Sequence, residues 1–468
     1  MLVATGSSAD AAMEQTPEQE ARRRRTVTWV VALATLGLIF DGYDLVVYGT
    51  VVPLFLADPG QIGQVTPAVA GALGSYALLG VLVGALLAGT VADIVGRRKI
   101  MLTAYAWFSI GMGATALMNS VGGFGLLRFL TGIGVGALVA TTGALVAEYA
   151  PAGKKNLANA ITYSGVPIGS LLAALLAILL LGQIGWRGMF WIGAIPIVTL
   201  LPLAFLKMPE SPSWLASRGR LEEARKISER TGVPIMAVSG IARGDAETPV
   251  RRERAGFAGL FGREYWFATV VLGLMSATGL ILVYMLNTWL PELMGRAGYS
   301  TQGALSFLLV LNGGAVVSAL LAARLADRFG PKLVVAASFA LGAVGLALLT
   351  LQAPLGLLLL FVAIVGAGTS GTQILIFGFV ANYYRANVRG AGVAWCAGFG
   401  RLGGVAGPLV GGLLVAAGLA LESIFYVLTA LGVFGALLTL LVPVARRAVA
   451  ARTVPVEPTV APQPSAGR

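Results

Sequence analysis

Gly89-Thr90-Val91-Ala92-Asp93-Ile94-Val95-Gly96-Arg97-Arg98 returns later in the chain as Ala323-Arg324-Leu325-Ala326-Asp327-Arg328-Phe329-Gly330-Pro331-Lys332. Asp93 and Asp327 stand 234 positions apart, and the same offset aligns Ala147-Glu148-Tyr149 with Ala381-Asn382-Tyr383 and Gly169 with Gly403. Three matches at one spacing read as an internal duplication, so the chain is built from two related halves. Each copy of the segment is a polar turn set between long apolar runs.

Those runs dominate the composition. Of 468 residues, 57% are hydrophobic and 12% charged, well above the roughly 45–50% apolar share of a soluble domain. A helix crossing a bilayer needs ~20 apolar residues, and we read such spans at about 27–56, 66–92, 100–118, 122–149, 157–182, 187–208, 265–293, 301–325, 333–351, 354–384, 390–416 and 420–444. The expected fold is an all-α membrane protein with twelve transmembrane helices in two pseudo-symmetric six-helix bundles. Its expected parts are a cytoplasmic tail (1–26), a first bundle (27–208), a cytoplasmic linker (209–264), a second bundle (265–444) and a disordered tail (445–468).

The net charge of +12 follows the topology and not a nucleic-acid surface. With the amino terminus inside, only Arg187 and Arg296 fall in external loops and only Arg128 and Arg401 within spans. All other basic residues are then cytoplasmic, as the positive-inside rule requires, with both termini inside. Arg22-Arg23-Arg24-Arg25 precede a span too long for a signal-peptide core, so an uncleaved anchor is expected. The single cysteine, Cys396, excludes an intramolecular disulfide, and the lack of histidine excludes His-based metal sites. No cofactor is expected, and proton coupling, if present, must use carboxylates. A membrane enzyme or receptor would need catalytic machinery or a soluble domain that the sequence does not offer.

Gly89–Arg98 fits G-x-x-x-D-x-x-G-R-[RK] at every fixed position and so resembles the loop between the second and third helices of the major facilitator superfamily. Physically, Gly89 permits close helix approach, Asp93 can accept from a helix amino terminus, and Arg97 and Arg98 meet the anionic leaflet. The resemblance implies that Gly89, Asp93, Gly96, Arg97 and Arg98, with Asp327 in the repeat, latch a cytoplasmic gate. Arg128-Phe129-Leu130-Thr131-Gly132 resembles the fourth-helix motif of that superfamily, and Gly403–Gly412 its glycine–proline packing motif. Pro209-Glu210-Ser211-Pro212-Ser213-Trp214-Leu215 is similar to a stretch of sugar porters that organic-ion and metabolite symporters share, and reads as a loop feature of the whole superfamily.

Phe40-Asp41-Gly42-Tyr43-Asp44 in the first span is similar to the D-G-[FY]-D signature of aromatic acid:proton symporters, and Asp44-Leu45-Val46-Val47-Tyr48-Gly49 is nearest the benzoate-type branch. Asn287-Thr288-Trp289-Leu290-Pro291, Thr372-Gln373 and Gly400-Arg401 also resemble that family. Asp41 and Asp44, at i and i+3, share a helix face, and carboxylates in a span mark a pathway or proton relay. They are the candidate proton-coupling pair and hold protons as a unit. With Arg128 and Arg401 the set sums to zero, so one monocarboxylate plus one proton is the cheapest load. Arg401, nearer mid-span than Arg128, is the preferred carboxylate fork. Tyr43, Tyr284, Phe377 and Trp395 are candidate ring walls, with Asn287 and Gln373 for hydrogen bonds. The expected protein is a monomeric importer in a bacterial plasma membrane. Its partners are a small aromatic acid, a proton and the lipid bilayer, and no nucleic acid. A metabolite or sugar symporter, or a drug exporter, is the alternative.

Overall fold

The computed structural model describes residues 17–151, 155–233, 235 and 256–443. The expected tails up to residue 16 and from 445, and most of the loop joining the halves (236–255), lie outside them. The helices are α1 (Pro17–Ala57), α2 (Pro67–Val95), α3 (Arg97–Ala116), α4 (Val121–Tyr149), α5 (Lys155–Tyr163), α6 (Gly165–Ala194) and α7 (Leu200–Lys207) in the first half. Three short ones follow, α8 (Pro212–Ser217), α9 (Leu221–Thr231) and α10 (Phe257–Leu260). The second half contains α11 (Trp266–Arg296), α12 (Thr301–Phe329), α13 (Pro331–Leu348), α14 (Leu355–Gly366), α15 (Thr372–Tyr383), α16 (Ala386–Ala416) and α17 (Leu421–Leu441).

Ten helical stretches among the described residues are long and apolar enough to cross a membrane. One of them, Leu157–Lys207, runs 51 residues and breaks at Gly185, whose φ of 64° and ψ of −179° no helix allows. It therefore makes two crossings. The one crossing that this count leaves out is the third, α3, whose apolar stretch is diluted by Arg97, Arg98 and Lys99 at its start. The tenth crossing joins α14 to α15 through a π-helical turn, Ala367–Gly371. The wider turn accommodates close backbones there: a Cβ on Gly366 would strike the Leu311 carbonyl. The chain is already helical at Pro17, the first described residue and ahead of the expected 27, and Glu18–Arg22 (3.7 Å) and Glu20–Arg24 (3.1 Å) pairs one turn apart support the helix through the arginine run.

α1 packs on α6, and α4 on α2 and α3; in the second half α11 packs on α16, α12 on α14 and α13 on α17. The halves meet where α2 faces α16, α6 faces α12 and α1 faces α11. We call the end that bears Arg97, Arg98 and Lys99 the basic end. At the opposite end α2, α4 and α12 each start with a hydroxyl cap, Thr66, Ser120 and Ser300 accepting from Val69, Gly123 and Gly303 N–H.

Candidate functional site

Asp41 and Asp44 are both buried at mid-molecule on α1. α1 lies so close to α6 that a Cβ on Gly42 would strike the Val166 carbonyl, which fixes the depth of the two carboxylates. Asp44 forms a buried ion pair with Arg128 of α4. The guanidinium also lies over Tyr48 (5.1 Å) and Phe190 (5.9 Å), and Tyr48 Oη donates to the Ala70 carbonyl at 2.6 Å. Arg128 is thus boxed by an anion and two ring faces.

Asp41 is different. Neither it nor Arg401 of α16 has a hydrogen bond or ion pair among the described residues. The two come from opposite halves and lie within electrostatic reach of each other, with Tyr284 of α11 in the same field. The four charged residues that the sequence singled out therefore split into one bonded pair and one open pair. Beside them lies a cavity of ≈ 10 Å³ lined among others by Asp44, Tyr48, Arg128, Tyr284, Thr288 and Pro408, room for about one water.

The remaining candidates are placed as follows. Tyr43 Oη donates to the Met189 carbonyl at 2.7 Å. Asn287 donates to Val283 O (2.8 Å) and accepts from Asn312 Nδ2 (2.9 Å), so its amide is occupied between α11 and α12. Gln373 Nε2 donates to Ser276 Oγ at 3.3 Å, leaving Oε1 buried without a partner. Phe377 is half-buried on α15. Trp395 donates to Thr269 O (2.9 Å) and stacks on Phe399; six residues from Arg401, it lies about 120° round α16 from it. The structure brings Asp41, Asp44, Arg128, Arg401 and Tyr284 together and gives Tyr43, Asn287 and Trp395 contacts of their own.

At the basic end, Arg97 Nε pairs with Glu148 Oε1 at 2.6 Å. Arg98 donates its backbone N–H to Glu210 Oε1 (3.1 Å) and its guanidinium to Phe205 O (2.7 Å). Tyr149 Oη donates to the Glu210 carbonyl at 2.7 Å. Gly96, at φ 108°, could not carry a side chain, since a Cβ would lie 2.5 Å from Glu210 Oε2. Glu210 is a member of this cluster that sequence reasoning did not single out: it is the acid of Pro209-Glu210-Ser211-Pro212, which reads as a loop until the fold brings it to Arg98. The Asp93 side chain lies outside the described residues, and Asp327 is exposed.

The seam between α2 and α16 is asymmetric along its length. Toward the opposite end it is shut: a Cβ on Gly71 would sit 2.6 Å from Pro408 O, one on Gly412 would sit 2.5 Å from Pro67 O, and Ser75 Oγ donates to Val405 O at 2.6 Å. Gly89 stands 18 residues from Gly71, and Gly390 18 from Pro408. That is five whole turns on each helix, about 27 Å along the same faces. A Cβ on Gly89 or Gly390 would meet nothing within 4 Å. Among the described residues, Gly89 and Gly390 therefore make no close approach of the kind that Gly71 and Gly412 make.

Among the described residues no three His, Cys, Asp or Glu gather as a metal site. The sequence model of the Major Facilitator Superfamily matches residues 34–323 and 300–465. A benzoate transport protein of Acinetobacter baylyi is 35% identical over 82% of this chain and 83% of its own length. A gentisate transporter of Corynebacterium glutamicum is also 35% identical, over 83% of this chain and 81% of its own. Among solved structures, a D-xylose-proton symporter superposes with a TM-score of 0.70, covering 90% of this chain and 99% of that one; at 22% identity it speaks to the fold alone.

Proposed function

The chain belongs to the Major Facilitator Superfamily, and from that premise we propose that it imports a small aromatic carboxylate with a proton by alternating access. It acts as a monomer in a bacterial plasma membrane, with the basic end and both termini cytoplasmic. The observation that carries this reading is the open pair: Asp41 and Arg401, from opposite halves, lie within electrostatic reach of each other, and neither has a bonded partner among the described residues. Leaving two charges so exposed to one another at mid-membrane is costly unless cargo and proton complete the set. Arg401 offers a planar fork to a carboxylate, and Asp41 carries the proton. Asp44 is committed to Arg128 and holds α1 to α4. The relatives are named for benzoate and gentisate, both ring carboxylates.

The seam supplies the gate. With Gly71 on Pro408 the seam is shut toward the external side, and on this reading cargo leaves by the basic end. A cavity for one water admits no ring, so the halves must part for cargo to enter from outside. Rocking then brings Gly89 toward Gly390, in register with the contact that opened. The Gly96–Glu210 and Arg97–Glu148 cluster belongs to the first half and travels with it. Cells expressing the chain are expected to accumulate radiolabelled benzoate, to lose accumulation with a protonophore, and to be inhibited by 4-hydroxybenzoate but not glucose. Inhibition by glucose, or uptake indifferent to the protonophore, argues against the proposal.

Gly71→Leu places a side chain where Pro408 O now lies, so the external seam is expected to stay ajar. In a Cys396→Ala background, a reporter Val405→Cys should be alkylated from outside several-fold faster once Gly71→Leu is added, while uptake falls. Equal labelling with and without Gly71→Leu would remove the seam from the mechanism.

A further inference from the structure

α5 lies within the fifth crossing, yet it carries a polar side. Leu157 and Ile161, four apart, are exposed as lipid-facing residues are, while Asn159 and Tyr163 share a different face. Tyr163 is 39% exposed. Its hydroxyl reaches α4, where it donates to the Val139 carbonyl over a long 3.3 Å and stands where a Cβ on Gly143 would come within 2.7 Å. Val139 is eleven residues from Arg128, three turns and only about 20° round the helix. The phenol is therefore on the face of α4 that bears Arg128, the face turned to the site and away from lipid.

Its depth follows from the packing of α6 on α1. A Cβ on Gly165 would lie 2.6 Å from Thr35 O and 3.1 Å from Ile39 N, so Tyr163, two residues earlier, stands about a turn or more to the basic side of Asp41. The fields of both Asp41 and Arg401 reach it. On the external side of these charges the space is closed by Thr288 and Pro408 and holds one water. Cargo whose carboxylate rests on Arg401 must then lay its ring toward the basic end.

We propose that Tyr163 reads the far end of that ring and sets a preference for aromatic acids bearing a ring hydroxyl over unsubstituted ones. The inference rests on Arg401 as the carboxylate anchor. A phenol can donate to or accept from a ring hydroxyl, and the bond it gives up, at 3.3 Å, is a weak one. Benzoate offers no partner there, so it gains nothing from the hydroxyl.

The test uses the full chain in proteoliposomes, with uptake of labelled benzoate inhibited by unlabelled benzoate, 3-hydroxybenzoate and 4-hydroxybenzoate. The wild type is expected to favour at least one hydroxybenzoate over benzoate by about three- to tenfold, the worth of one neutral hydrogen bond. In Tyr163→Phe that ratio should collapse to about one. A ratio that survives, or a wild type without preference, overturns the inference; so does an equal loss for all three acids, which is what a merely structural tyrosine would give. Arg401→Lys serves as the separate control. It should weaken all three acids alike, and if it weakens none, the anchor itself is wrong.

Discussion

Asp41→Asn is expected to abolish concentrative uptake of benzoate while leaving a folded protein that still exchanges external for internal substrate. Asparagine keeps the shape of the side chain but cannot release a proton, and Asp41 has no bonded partner among the described residues to strand. Asp44→Asn should behave differently. It leaves the Arg128 guanidinium, buried and already with an unpartnered Nε, without its counter-charge. Breaking a buried pair in this way costs about 3–5 kcal/mol. The two variants therefore separate coupling from stability: Asp41→Asn keeps its thermal midpoint and loses accumulation, Asp44→Asn loses both. Full accumulation by Asp41→Asn, at equal protein in the membrane, would rule out Asp41 as the proton carrier.

Arg401→Lys is expected to weaken benzoate binding by roughly 10–150-fold, the ~1.5–3 kcal/mol of one charged hydrogen bond. Lysine keeps the charge and loses the planar two-pronged donor that a carboxylate matches. Arg401→Ala should be worse, since it also removes the positive field that faces Asp41. Benzamide supplies the control, because a neutral amide should bind poorly to the wild type and lose little more in either variant. Isothermal binding to the purified protein reads this directly. If Arg401→Lys holds benzoate as tightly as the wild type, the carboxylate rests elsewhere, and Arg128 is excluded as a ready substitute while Asp44 and two rings occupy it.

The fold was legible because a bilayer leaves a chain few choices: each crossing needs about twenty apolar residues with every backbone group satisfied inside the helix. Even the turn at Gly185 falls between the two spans read as 157–182 and 187–208. The helical stretch of α1 before residue 27 was not legible, since four arginines read as tail until the pairing of Arg22 with Glu18 and of Arg24 with Glu20 is seen. The four candidate charges were legible for the same reason as the spans, because a charge in lipid is too costly to be incidental. Their partition was not. Whether Arg128 takes Asp41 or Asp44 depends on the depth at which α1, α4 and α16 cross, and that depth is set by contacts such as Gly42 on Val166 that no local pattern announces. Glu210 and Tyr163 were hidden likewise: one meets Arg98 across 112 positions, the other lies on a helix whose polar face gains meaning only beside α4.

The most direct test of the central claim is to drive the purified protein in vesicles by one gradient at a time. One carboxylate and one proton together carry no charge. A pH gradient, alkaline inside, should therefore raise the initial rate of benzoate entry above that of protein-free vesicles, with a driving force of about tenfold in concentration per pH unit. A negative-inside potassium diffusion potential alone should leave that rate unchanged. Entry driven by the potential alone, or entry indifferent to the pH gradient, would contradict a neutral load of one aromatic carboxylate and one proton.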